Sequence, residues 1–186
     1  MYRLKRWAPL MALVFGACDD GFGPGSWIAA PDTVVLYSAS RAEYLGLGSA
    51  LDIVRQPVGA VKIETAGQTG NWDAALIEVD GALWLAPAAS FEGLASRARI
   101  AVLANVSWDE LEQAPRDTTL YTAEPVLVQA NTVYVVRSRR ASCGLSQGYR
   151  YAKLDPIEVD VDAGTFSFEV IRNPYCDDRS FVPPED

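Results

Sequence analysis

The 186-residue chain contains no histidine. That absence removes imidazole acid/base chemistry, His-containing catalytic triads and most zinc sites. It has three cysteines, Cys18, Cys143 and Cys176, too few for a disulfide-dense scaffold. No apolar run reaches the roughly 20 residues that a membrane-spanning helix needs. Long helical periodicity is missing as well. Only residues 90–97 and 107–113 read as helices, both short, the second with a Ser-x-x-Glu capping box at Ser107–Glu110 and a stop at Pro115. Positive charge is scarce: 16 Lys and Arg stand against 24 Asp and Glu, a net of −8. That balance argues against nucleic acid as a partner, and against binding anionic lipid through a basic surface. There is no internal repeat and no low-complexity stretch.

What is present begins at the N-terminus. Arg3, Lys5 and Arg6 precede eleven uncharged, mostly apolar residues, 7–17, which end in Gly16-Ala17 before Cys18. A basic start, a short apolar run and small residues at its end form a secretory signal peptide. With its cysteine directly after Gly-Ala, Phe15-Gly16-Ala17-Cys18 resembles the bacterial lipoprotein signal, with Phe15 where that family prefers Leu. The resemblance covers residues 1–18. It implies cleavage before Cys18, acylation of that cysteine, and an address on the bacterial cell envelope, facing periplasm or exterior. Residues 18–31 are then the lipidated cysteine and a Gly/Pro-rich tether, residues 32–182 a single β-rich domain, and residues 183–186 a tail.

Cleavage after residue 17 takes three basic residues and no acids, leaving 13 basic against 24 acidic side chains, a net of −11. The remaining charge is uneven. Residues 18–136 hold 6 basic and 15 acidic side chains; residues 137–179 hold 7 of each. Once Cys18 is acylated, Cys143 and Cys176 remain as a pair in an oxidising compartment, where a disulfide is expected.

Along the domain a period of two dominates. Residues 33–37, 60–64, 99–106, 118–122, 125–129, 132–136, 157–161 and 165–171 read as strands. Residues 74–79 and 82–86 flank Asp80-Gly81, the signature of a type I′ hairpin, which sets Ile77 opposite Trp84 and Val79 opposite Ala82. Gly164 closes a second hairpin in the left-handed conformation. About ten short antiparallel strands with one or two short helices define an all-β sandwich or barrel-like domain.

The candidate chemistry is thin. Gly144-Leu145-Ser146-Gln147-Gly148 matches the nucleophile-elbow pattern, but no histidine exists to activate Ser146, and the stretch reads as a turn beside the disulfide. Asp160 and Asp162 are a weak calcium candidate that lacks the distal ligands of a calcium loop; the alternative is a solvated strand face. Arg137, Arg139 and Arg140 form the one basic cluster after the signal. Arg137 and Arg139 are expected on one strand face, either in an ion-pair ladder with Glu158, Asp160 and Asp162 or capturing a carboxylate or phosphate. Trp72 lies in Gly70-Asn71-Trp72-Asp73, which reads as an exposed turn suited to stacking a sugar; Trp84 reads as core.

The composition thus favours an envelope protein, attached to the membrane by its lipid, with a structural or protein-interaction role, no catalysis and no cofactor. One alternative is a ligand-binding module for a glycan or a small anion, using Trp72, Arg137 and Arg139. A second is a carboxylate-based hydrolase, for which no spacing singles out an acid pair.

Overall fold

The computed structural model describes residues 27, 29–63 and 65–184. The signal peptide and Cys18 lie outside the described residues.

Thirteen strands are present among them: β1 (Asp32–Tyr37), β2 (Ala50–Asp52), β3 (Gly59–Val61), β4 (Ala74–Val79), β5 (Ala82–Pro87), β6 (Arg99–Leu103), β7 (Tyr121–Thr122), β8 (Val126–Leu127), β9 (Val133–Arg137), β10 (Ala141–Cys143), β11 (Ser146–Gly148), β12 (Tyr151–Asp160) and β13 (Thr165–Arg172). They form a six-stranded sheet in the order β1-β13-β12-β9-β6-β7, a five-stranded sheet in the order β3-β2-β4-β5-β8, and the β10–β11 hairpin. Every pairing is antiparallel. The two large sheets make a sandwich that does not close into a barrel.

Alternation along the strands builds the core. Leu36, Leu51, Leu76, Leu85, Tyr134, Leu154, Phe166 and Phe168 point between the sheets and are fully buried. The outer faces are covered too. On the six-stranded sheet, Val133, Val135, Tyr151 and Ile171 lie beneath Leu111, Ala114 and Phe181 from the loops, with Trp27 and Ala29 packed alongside. Packed chain therefore reaches into the stretch expected to be tether. On the five-stranded sheet, Ala50 and Ala75 sit under Trp72, Phe91 and Leu94. Loops that cover a sheet face make its strands apolar on both sides, as in β9, where Val133 to Val136 are all buried.

Both hairpins form as expected. Asp80 and Gly81 have φ of 52° and 72°, the two positive values a type I′ turn requires, and the register pairs Ile77 with Trp84 and Val79 with Ala82. Gly164 has φ of 66°, closing the turn between Asp160 and Thr165. Trp84, expected in the core, is half-buried on an outer face, its indole N–H buried without a partner.

The helices do not form. Among the described residues the only helical segments are 3₁₀ turns at Ala42–Tyr44, Ala88–Ser90 and Thr118–Leu120, and none is long and apolar enough to cross a membrane. In residues 90–97, Gly93 turns left-handed at φ 81° and interrupts the pattern. In residues 107–113 the capping contact is present, Glu110 N–H donating to Ser107 Oγ at 3.2 Å. The carbonyls of Trp108 and Leu111 nevertheless leave the helical ladder and accept from Lys153 Nζ, at 2.7 and 3.1 Å. A buried ammonium on β12 thus out-competes the local helix and lays the segment on the sheet.

Candidate functional site: an arginine cluster beside a polar cleft

β9 ends at Arg137, and the chain bends there, Ser138 N–H donating to Arg150 C=O across the hairpin. The bend sends the neighbouring arginines to different places. Arg139 turns inward. Its Nη1 lies 2.9 Å from Asp52 Oδ1 and 3.0 Å from Asp73 Oδ2, while its backbone N–H donates to Asp73 Oδ1 at 2.7 Å. Asp73 is fully buried and also accepts from Ile53 N–H at 2.8 Å. Burial pushes its carboxyl up to about 6, against the pull of Arg139 and the two backbone donors. Asp52 caps the following turn, accepting from Val54 and Arg55 N–H. Two further arginines clasp that turn: Arg150 donates to Val54 C=O, and Arg172 to Ile53 and Arg55 C=O. Arg139 is therefore a half-buried structural tie to two buried carboxylates.

Arg137 goes outward. Its guanidinium lies over the Tyr149 ring, 4.7 Å from the centroid, and over Tyr121 at 5.5 Å. The β6–β9 register places Arg99 directly opposite Arg137. Like charges in facing cross-strand positions repel. Arg140 and Arg97 complete the group at the Tyr149 phenol. Burial opposes ionisation of that phenol, but the neighbouring guanidinium groups of Arg140, Arg97 and Arg137 hold it below the ordinary tyrosine value. The ion pairs among the described residues are Arg41–Glu78, Arg139–Asp52 and Arg139–Asp73. None involves Arg97, Arg99, Arg137 or Arg140. Three guanidinium groups, those of Arg97, Arg137 and Arg140, thus meet at Tyr149, while Arg99 faces Arg137 across the strands and donates from Nη1 to Ala98 C=O at 2.8 Å; among the described residues none of the four has a carboxylate partner, on a chain whose net charge is −8.

The expected ladder between the arginines and Glu158, Asp160 and Asp162 does not form. β9 pairs with β12 only from Tyr151 to Leu154; past the bulge at Pro156/Glu158, Glu158 and Asp160 pair with β13, and Asp162 lies in the turn that follows. Nor do Asp160 and Asp162 gather with a third ligand. Asp160 Oδ1 accepts from Ala163 N–H, and the Asp162 carbonyl accepts from Arg41. Among the described residues no group of three or more His, Cys, Asp or Glu is placed to hold a metal ion.

Trp72 is not an exposed stacking platform. It is 3% exposed and meets Phe91 edge-on, ring centroids 5.0 Å apart. The turn at 67–71 folds over the outer face of the five-stranded sheet and carries the indole under it. Ser146 stands exposed on β11, its hydroxyl directed at Cys143 C=O. The Cys143–Cys176 disulfide is present, with Cα atoms 6.0 Å apart, and pins the β10–β11 hairpin to the segment after β13.

Arg97, Arg139 and Arg140 also line a cleft of about 500 Å³, together with Thr69, Asn71 and Ser96. Sequence reasoning found Arg137 and Arg140 as part of a basic cluster but missed Arg97, Arg99, Tyr149 and the cleft. The signal for the missing arginines was the Arg97-x-Arg99 spacing; what joins them to Arg137 is the pairing of β6 with β9.

Comparison with protein-family models, with curated proteins and with solved structures found no match for this chain.

Proposed function

We propose that the protein is an envelope-anchored, non-catalytic binding module that recognises an oxyanion at Arg97, Arg137 and Arg140 around Tyr149. One observation carries the reading: three arginines converge at Tyr149 with Arg99 alongside, and among the described residues none of the four has a carboxylate counter-ion, on an acidic protein. Packing like charges together is unfavourable unless an anion neutralises them, and the guanidinium fork matches carboxylate and phosphate oxygens. In this reading residues 1–17 are removed, Cys18 is acylated, and the eight residues between Cys18 and Trp27 link lipid to domain, spanning at most about 30 Å. The general interaction role expected from the anchor is thereby narrowed to recognition by charge.

The test uses the full chain in mild detergent. Sodium sulfate is titrated against sodium chloride at matched ionic strength, and the melting temperature is followed. An anion at 100 times its dissociation constant stabilises by about 2.7 kcal/mol, a rise of roughly 5–10 °C for a domain of this size. Arg137→Gln with Arg140→Gln should abolish the sulfate-specific rise. Equal behaviour in the two salts refutes the reading. Separately, Cys18→Ala should move the protein from the membrane to the soluble fraction; retention on the membrane refutes lipid anchoring.

A further inference from the structure

The cleft beside the cluster has a distinctive wall. It lies between the turn at 67–71, the segment 93–97 and the chain at Arg139–Arg140. Its volume falls within the roughly 300–1,000 Å³ of small-molecule sites. Both loops are fixed from below, because Trp72, Phe91 and Leu94 pack as one cluster on the five-stranded sheet. The turn is further held by Asn71 Nδ2 donating to Gly67 C=O at 2.7 Å. Arg139, tied to Asp52 and Asp73, fixes the third side. The cleft is therefore held open on supports that need no ligand to form.

The chemistry of the lining is selective. Thr69 offers an exposed hydroxyl. With its nitrogen committed to Gly67, Asn71 has its amide oxygen left to accept. Ser96 Oγ accepts from Ala98 N–H at 3.2 Å and keeps its proton to donate. Small residues, Gly70, Gly93 and Ala95, fill the rest around Leu94, and among the described residues no carboxylate lines the cleft. An acyl chain or apolar peptide finds little hydrophobic area here. A nucleobase finds no open aromatic face, since Trp72 is buried beneath the loops. Hydroxyl and amide groups together with guanidinium groups complement a polyhydroxylated ring that carries an oxyanion.

We propose that this cleft binds an acidic saccharide. Its carboxylate or phosphate lies between Arg97 and Arg140, and its ring hydroxyls meet Thr69, Asn71 and Ser96. This rests on the oxyanion reading above and extends it from a charge to a ligand class.

Binding to the full chain in detergent is measured by calorimetry with sodium sulfate, trigalacturonate, mannose 6-phosphate and neutral trigalactose. An acidic saccharide should bind at least about tenfold more tightly than sulfate, a difference of about 1.4 kcal/mol, and trigalactose should not compete. Whichever of trigalacturonate and mannose 6-phosphate binds more tightly identifies carboxylate or phosphate as the preferred anion. Thr69→Val with Ser96→Ala should weaken the saccharide about fivefold or more while leaving sulfate unchanged, because each lost hydrogen bond is worth about 1 kcal/mol. Thr69→Val alone serves if the double variant melts early. Sulfate binding with no gain for either acidic saccharide, or with no effect of these variants, overturns the saccharide proposal and leaves the oxyanion reading standing. Absence of sulfate and saccharide binding together overturns both.

Discussion

Replacing Arg139 with methionine should be among the most damaging single changes in the region of the cleft. Methionine preserves much of the length and keeps the backbone N–H that donates to Asp73 at 2.7 Å. What it removes is the guanidinium lying 2.9 Å from Asp52 and 3.0 Å from Asp73. Asp73 is fully buried and Asp52 only 5% exposed, so two carboxylates lose their shared cation where water cannot replace it. Breaking a buried pair from one side costs about 3–5 kcal/mol. With a urea m-value of about 2 kcal/mol/M, the unfolding midpoint at pH 8 should fall by roughly 2 M. Tryptophan fluorescence follows the transition.

The pH dependence sharpens the test. The folded-state value of Asp73, about 6, stands above its ordinary 3.8. Between these values the folded state holds a proton that the unfolded chain has released. Stability from this group is therefore present below about 4 and is lost as pH rises toward 6, by roughly 3 kcal/mol for a shift of about two units. Without Arg139 the carboxyl climbs further. At pH 5 a proton can then stand in for the missing cation, and the deficit of the variant should shrink. A deficit below about 1 kcal/mol at pH 8, or one equal at pH 5 and pH 8, would refute the reasoning.

Three other perturbations test neighbouring parts of the structure. Reducing Cys143–Cys176, separated by 33 positions, should cost about 3–4 kcal/mol on the chain-entropy model; superimposable urea curves with and without reductant would contradict this. Lys153→Met should cost about 2–3 kcal/mol by removing charge-assisted bonds to Trp108 and Leu111 C=O. It should also red-shift indole emission, since Nζ lies 4.2 Å from the Trp108 ring centroid, and open residues 107–114 to protease; unchanged emission and cleavage would count against the clamp. Trp72→Ala should destabilise by about 3–5 kcal/mol as a core truncation, whereas loss of ligand binding at unchanged stability would return Trp72 to a surface role.

Local order was legible in the chain. Apolar residues at a spacing of two specify strands whatever those strands pair with, and Asp80-Gly81 specifies its turn because those two residues tolerate positive φ. The disulfide partners followed from compartment and count. Tertiary structure decided what becomes of each candidate residue. Trp72 sits in a polar, glycine-bearing turn that reads as exposed, yet the loop folds back over a sheet and buries the indole. Residues 107–113 carry a genuine helix cap, yet Lys153, 45 and 42 positions after Trp108 and Leu111, takes the carbonyls a helix would need. Arg137 and Arg139 share the alternation of one strand, but β9 stops between them, so one faces outward against tyrosines and the other inward against Asp52 and Asp73. Arg97 and Arg99 join Arg137 only because β6 pairs with β9, a contact between segments almost forty residues apart. Periodicity fixes which way a side chain points from its own strand; which strand lies beside it is set by the packing of the whole sandwich, and the charge cluster exists only at that level.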